Sequence, residues 1–212
     1  LIQGASGMRF SSVEFLNNIL KLCKKHNIIS IFDEVMTGFG RTGKFFAYNY
    51  LEFTPDIICL SKGITGGFLP LGITGVSKKI YDEFNDDNSK VFLHGHSYTA
   101  NPIICSAANA SLDLLNENSL KKIQKIEKIY RNFCQKNKNN QKIEKIRYLG
   151  NILAFDLKIK NFQKEEFKKL CHKNGMIIRP LKNTIYFIPP YCINLKNLKY
   201  SLIKVTEIIN KL

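Results

Sequence analysis

Two short segments of similar design decide the fold: IISIFDE at residues 28–34 and IICLSK at residues 57–62. In each, a run of mostly apolar residues leads to charged side chains. Such a run is typical of a strand buried on both faces, as the strands of parallel sheets are. We therefore predict that Asp33 and Lys62 follow two neighbouring buried strands.

Helical patterns alternate with these strands. An apolar stripe predicts an amphipathic helix at residues 12–27, and an Ala- and Leu-rich segment predicts a close-packed helix at 101–116. A third strand is predicted at 71–76, and a helix follows near 77–84. This alternation indicates an α/β domain with a mainly parallel sheet.

The character of the sequence changes near residue 118. A Lys-rich helix with an apolar stripe is followed by a polar loop at 135–142. Beyond this loop we predict strands near 151–157, 176–179 and 184–188, and helices near 163–173 and 195–210. We expect two domains, one spanning residues 1–118 and a small α+β domain spanning residues 119–212.

Charge and cysteine content narrow the function classes. The net charge is +15, and residues 121–212 carry 22 Lys and Arg against 6 Asp and Glu. These basic residues interleave with apolar ones at helical spacing, so we interpret them as a solvated face rather than a nucleic-acid surface. No apolar run reaches the ~18 residues of a membrane span. The six cysteines form no C-x-x-C pair, which favours reduced thiols in the cytoplasm.

Asp33 and Lys62 are the candidate functional residues, because each follows a predicted parallel strand. The carboxyl ends of parallel strands form the edge where ligands bind in open α/β sheets. A lysine at this edge can form a Schiff base, and an aspartate suits the protonated ring nitrogen of pyridoxal 5'-phosphate. On position alone, both residues could equally be ordinary strand-end residues in a turn.

Three blocks add a family resemblance: DEVMTGFGRTG at residues 33–43, SKGITGG at 61–67 and HGHSYTANP at 94–102. Together they resemble the class III aminotransferases, which have fold type I and use pyridoxal phosphate. The resemblance implies that Lys62 binds the cofactor and is catalytic, that Asp33 pairs with the ring nitrogen, and that Val35 packs on the ring. It also implies that the hydroxyl group of Ser97, with the backbone N–H groups of His96 and Ser97, binds the cofactor phosphate of a second subunit in a homodimer.

Other segments resemble one branch of that family: QGASGMR at residues 3–9, IRP at 178–180 and IYFIPPY at 185–191. The resemblance implies that substrate lies against Lys62, Gly95, Arg179 and Tyr186. Arg179 would bind a substrate carboxylate, because a guanidinium group grips a carboxylate through two hydrogen bonds.

Two other motifs do not predict sites of their own. GFGRTGK at residues 38–44 satisfies the first part of a phosphate-binding P-loop, but Phe45 stands where a magnesium-binding Ser or Thr is required. His94 and His96 form a pair of possible metal ligands without an evident third. We therefore expect neither a nucleotide nor a metal here.

The sequence begins at Leu1, and the family's glycine- and serine-rich phosphate loop and ring-stacking aromatic residue cannot be found in it. We therefore expect the C-terminal half of an enzyme, which needs its missing N-terminal half and is inactive alone. Two alternatives stay open: another class III member acting on ornithine, acetylornithine or 4-aminobutyrate, and a non-catalytic remnant.

Overall fold

The computed structural model describes residues 1–85 and 88–212. The chain forms two compact units, each described separately below. Unit 1 comprises Leu1 and Ser11–Glu117, and unit 2 comprises Ile2–Phe10 and Asn118–Leu212. Within the described ranges, no helix is both long enough and apolar enough to cross a membrane.

Unit 1 contains a three-stranded sheet with helices around it. Its strands are β3 (Ile31–Asp33), β4 (Ile57–Leu60) and β5 (Ile73–Val76), and its helices are α1 (Val13–Lys25), α2 (Lys78–Asn85) and α3 (Pro102–Leu114). The strand order is β3-β4-β5, which leaves β3 at an edge. β3 and β4 are parallel, whereas β4 and β5 are antiparallel. The twelve residues between β4 and β5 contain a four-residue 3-10 turn and no α-helix, whereas the crossover to a parallel neighbour usually contains an α-helix.

Local chemistry sets the start of α1 and the register of the sheet. The hydroxyl group of Ser12 accepts a hydrogen bond from the N–H of Phe15 at 3.1 Å, which caps α1. One carboxylate oxygen of Asp56 accepts hydrogen bonds at 2.8 Å from both the N–H and the hydroxyl of Ser30. These bonds join the residues that precede β3 and β4, and so fix the register in which Asp33 lies opposite Cys59.

Unit 2 is an antiparallel sheet packed against helices. It contains β1 (Ile2–Gln3), β2 (Arg9–Phe10), α4 (Glu117–Lys136), β6 (Ile143–Leu149), β7 (Ile152–Leu157), α5 (Lys164–Lys173), β8 (Thr184–Phe187) and α6 (Leu195–Lys211). The strand order is β6-β7-β8, and β1 pairs with β2 in a separate hairpin. Four residues of β7 in succession, residues 152–155, have no exposed surface, so β7 lies at the centre of the core.

The structure corrects two secondary-structure predictions in unit 2. Residues 176–179 were predicted as a strand but form none: Ile177 is 94% exposed, and Pro180 after them lacks an N–H for a ladder. The strand β6 was missed because its Lys- and Arg-rich sequence includes a register shift between Glu144 and Arg147, which breaks the period-2 pattern.

Candidate functional site

Asp33 and Lys62 lie at the same end of the unit 1 sheet, where the parallel strands β3 and β4 have their carboxyl ends. Asp33 is the last residue of β3 and pairs in register with Cys59 of the parallel strand β4. Lys62 comes three residues after Cys59, at the start of the 3-10 turn Lys62–Thr65. Neighbouring strands are about 4.8 Å apart, and three Cα steps span at most about 11 Å. The two backbones are therefore within about 16 Å of each other, at the carboxyl ends of two paired strands.

The turn that carries Lys62 holds it in an uncommon conformation. Lys62 has a φ of +47°, in the left-handed region, which a non-glycine residue adopts at a cost of about 1–3 kcal/mol. The turn packs closely against Phe39, because a Cβ added at Gly63 would lie 3.1 Å from the ring of Phe39. The hydroxyl of Ser61 also donates to the carbonyl of Leu71 at 2.6 Å. Among the described residues, nothing pairs with the exposed amine of Lys62.

Asp33 presents one unengaged carboxylate oxygen. Its Oδ1 accepts a hydrogen bond from the N–H of Val35 at 3.0 Å, which fixes the side chain relative to the turn after β3. Its Oδ2 has no hydrogen-bond partner within the described part of the chain. The side chain of Val35 is half-buried beside it. A free carboxylate oxygen and a free amine at one sheet edge fit an aromatic cofactor with a protonated ring nitrogen and an aldehyde.

Glu34 organises the loop beside this edge, and sequence reasoning missed it. Its side chain is only 2% exposed. Its carboxylate accepts hydrogen bonds from the hydroxyl of Thr37 at 2.6 Å, the N–H of Ala47 at 3.0 Å and the N–H of Tyr48 at 2.7 Å. The loop also needs glycine at position 38, where a Cβ would lie 2.9 Å from the carbonyl oxygen of Glu34. The sequence signal that could have identified Glu34 is a second acidic residue directly after Asp33, at the end of a predicted strand.

The segment 94–97 lies outside any helix or strand and is exposed. The N–H of His96 donates to the hydroxyl of Thr99 at 3.0 Å, and the N–H of Tyr98 donates to Nδ1 of His96 at 3.1 Å. In this conformation the N–H of His96, predicted to bind the cofactor phosphate, already donates to Thr99. Gly95 lies in the same turn, where a Cβ would be 3.4 Å from the hydroxyl of Thr99. Across the described residues, no hydrogen bond joins this segment to Asp33 or Lys62.

Arg179 and Tyr186 line one groove of about 440 Å³ in unit 2. Tyr186 lies on β8 opposite Ala154, and the side chain of Arg179 is exposed. The side-chain amide of Asn151 donates to the carbonyl of Pro189 at 2.6 Å and so fixes the chain that leaves β8. The structure thus brings these two predicted substrate residues together, in the unit that does not contain Asp33 and Lys62.

The family profile and the similar sequences that match this chain all belong to aminotransferases. The profile of the family Aminotransferase class-III matches residues 1–209. The chain is 40% identical to the adenosylmethionine-8-amino-7-oxononanoate aminotransferase of Helicobacter pylori, covering all of this chain and 51% of that protein. It is 38% identical to the protein of the same name from Synechococcus elongatus, again covering 51% of it. The chain spans about half the length of the curated relatives that it matches.

The solved structures that superpose on this chain are also aminotransferases. The adenosylmethionine-8-amino-7-oxononanoate aminotransferase of Methanocaldococcus jannaschii superposes with a TM-score of 0.89 at 34% identity, over 99% of this chain and 52% of that one. The ornithine aminotransferase of Plasmodium yoelii superposes with a TM-score of 0.88 at 27% identity, over 99% and 55%. The predicted α/β fold of type I is therefore confirmed.

Proposed function

The chain belongs to the class-III aminotransferase family, and from that premise we propose that it is the C-terminal half of an enzyme of biotin biosynthesis. This enzyme would transfer an amino group from S-adenosylmethionine to 8-amino-7-oxononanoate, giving 7,8-diaminononanoate. The relatives that carry this name, at 38–40% identity over the whole of this chain, support the choice of substrate.

The observation that carries the proposal is the shared sheet edge of Asp33 and Lys62. Lys62 would hold pyridoxal phosphate through its amine, Asp33 would bind the ring nitrogen through its free oxygen, and Val35 would pack against the ring. When bound, the cofactor supplies an electron sink for the carbanion of transamination.

Lys62 would have a second task as the base of the reaction. Its amine would take the proton from the α-carbon of the amino donor and return a proton during the second half-reaction. The left-handed backbone at Lys62 supports this role, because strained residues concentrate at active sites and need a surrounding structure that enforces them.

Three further residues would contribute to substrate binding. Arg179 would bind the carboxylate of 8-amino-7-oxononanoate, Tyr186 would line the same groove, and Gly95 would leave room for the substrate. The hydroxyl of Ser97 would reach the cofactor phosphate of a second subunit in a homodimer. We also propose a cytoplasmic location, which the six free thiols support.

The test separates cofactor attachment from turnover. The 212-residue chain would be produced alone and together with the N-terminal half of the Helicobacter pylori relative, and each would be incubated with pyridoxal phosphate. One portion of each sample would be reduced with borohydride for mass spectrometry, and an unreduced portion would be assayed for amino transfer. We expect mass spectrometry to find the reduced cofactor on Lys62 in the two-part protein, and amino transfer to 8-amino-7-oxononanoate in that sample only. Lys62→Arg should abolish both results, whereas the control Lys79→Arg, at an exposed lysine on α2, should change neither.

Labelling at another lysine, or full turnover by the Lys62→Arg protein, contradicts the assignment. Normal turnover by the chain alone contradicts the need for a second half.

A second candidate is the transamination of ornithine, which the Plasmodium yoelii neighbour favours. The active two-part protein would be offered 8-amino-7-oxononanoate or 2-oxoglutarate as acceptor, with S-adenosylmethionine, lysine or ornithine as donor. Turnover with ornithine and 2-oxoglutarate, and none with 8-amino-7-oxononanoate, would replace the primary proposal.

A further inference from the structure

A single arginine in unit 2 joins parts of the chain that lie far apart in sequence. The Nε of Arg147 donates to the carbonyl of Met8 at 2.6 Å, and its Nη2 donates to the carbonyl of Gly7 at 2.9 Å. The same Nη2 donates to the carboxylate of Asp156 at 3.0 Å, and Nη1 donates to the carbonyl of Lys145 at 2.7 Å. One guanidinium group therefore binds the hairpin Ile2–Phe10 and the β6–β7 pair at once.

The surrounding backbone is built to aim this side chain. Arg147 follows a register shift in β6 that begins after Glu144, and Lys145 inside the shift has a φ of +47°. Shifts of this kind re-aim side chains and are over-represented next to active sites. On the other side of the contact, Gly7 and Met8 have φ values of +99° and +51°. Met8 and Lys145 are thus two non-glycine residues in the left-handed region around one guanidinium group, and backbone strain of this kind is concentrated at functional sites.

Electrostatics and hydrogen bonding hold Arg147 in place. Asp156 is opposite Thr184 in the β7–β8 register, and the hydroxyl of Thr184 donates to the same Oδ1 at 2.8 Å. The side chains of Arg147 and Asp156 are 18% and 21% exposed, so water screens their attraction only partly. A lysine could not replace Arg147, because its single ammonium group cannot reach four acceptors placed around a planar fork.

We infer that Arg147 is a positioning residue for substrate binding, which holds the tip of the hairpin Ile2–Phe10 in a fixed place through its contacts with Gly7 and Met8. The link to substrate rests on the proposed function, since the sequence at residues 3–9 is one of the segments that assign the chain to that branch of the family. Asp156 and Thr184 act behind Arg147 by fixing its guanidinium group.

The test compares Arg147→Met and Arg147→Lys with the control Arg131→Met, at an exposed arginine on α4 in the same unit. Hydrogen exchange is measured on the 212-residue chain. We expect Arg147→Met to speed amide exchange in residues 2–10 by roughly tenfold or more, with little change in β7 and β8. Arg147→Lys should give an intermediate increase, and Arg131→Met should give none.

Two exchange results would overturn the inference. One is hairpin exchange in Arg147→Met no faster than in Arg131→Met. The other is an equal loss of protection along β7 and β8, because Arg147 would then be a general stabiliser of the sheet.

Kinetics of the two-part protein test the substrate role. Arg147→Met should raise the KM for 8-amino-7-oxononanoate by roughly fivefold or more and change kcat by less than about twofold. An unchanged KM in a variant whose hairpin exchanges faster removes the substrate role. A wild-type two-part protein without aminotransferase activity contradicts the proposed function instead, and the exchange comparison still decides whether Arg147 holds the hairpin.

Discussion

Replacing Glu34 by glutamine should destabilise unit 1 although the two side chains have the same shape. The Glu34 carboxylate accepts three hydrogen bonds: Oε2 accepts from the hydroxyl of Thr37 and the N–H of Ala47, and Oε1 accepts from the N–H of Tyr48. Glutamine has one acceptor oxygen and one NH₂ group. In either orientation the NH₂ group therefore faces at least one backbone N–H, which loses its acceptor inside the protein.

The expected cost follows from that lost acceptor. A buried donor left without a partner costs about 1–3 kcal/mol. With a urea m-value near 2 kcal/mol per M, the unfolding midpoint should fall by about 0.5–1.5 M. The measurement is urea unfolding of the 212-residue chain followed by circular dichroism. The control is Glu52→Gln, because the side chain of Glu52 is exposed and has no hydrogen-bond partner among the described residues.

Equal unfolding midpoints for Glu34→Gln and Glu52→Gln would refute this reasoning. They would mean that the loop between β3 and residue 48 does not depend on the buried carboxylate. Faster exchange of the Ala47 and Tyr48 amides in Glu34→Gln, without faster exchange in β8, would locate the effect in this loop.

Three further predictions concern stability and reactivity. Gly63→Ala should lower the free energy of unfolding by about 1–3 kcal/mol in urea titrations, because its Cβ would lie 3.1 Å from the ring of Phe39, which is buried and held edge-on against Phe45 and Phe46. The hydrogen bonds from Ser30 lower the pKa of Asp56, so the stability that Asp56 contributes is present above its unfolded-state pKa and is lost as pH falls below about 4. Asp56→Asn should therefore weaken the pH dependence of the free energy of unfolding measured between pH 6 and pH 3. An unchanged pH dependence in this variant contradicts the assignment. Burial raises the pKa of the Cys171 thiol to about 11, so a thiol reagent at pH 8 should label the exposed cysteines first, and rapid labelling of Cys171 would show that α5 opens readily.

Sequence patterns located the strands of unit 1 better than those of unit 2, for a physical reason. The strand at 57–60 was predicted at its observed bounds because a continuous apolar run has no helical alternative at that length. The next strand, β5, was placed near its observed bounds, but its antiparallel direction depends on the path of the connection before it, which contains no α-helix. Direction is a property of the path between strands, which apolar patterns do not encode.

In the candidate site, too, the features set by strand pairing could be predicted from the sequence, whereas those set by loop conformation could not. The positions of Asp33 and Lys62 at one edge follow from the order and parallel pairing of two strands, and sequence predicts both. The role of Glu34 depends on which N–H groups the loop turns inward, and the engaged N–H of His96 depends on the local path around Thr99. Such contacts are decided by loop conformation, for which the chain has no periodic signal.

The position of β3 at the edge of its sheet affects how this protein must be handled. Its outer side carries the unpaired N–H and C=O groups of an edge strand, and Ile31 on it is 62% exposed. An open apolar strand is a template on which further strands can add, including those of identical molecules. The isolated polypeptide is therefore expected to self-associate into insoluble material, and dilution should slow this process because its rate depends on at least the second power of the protein concentration.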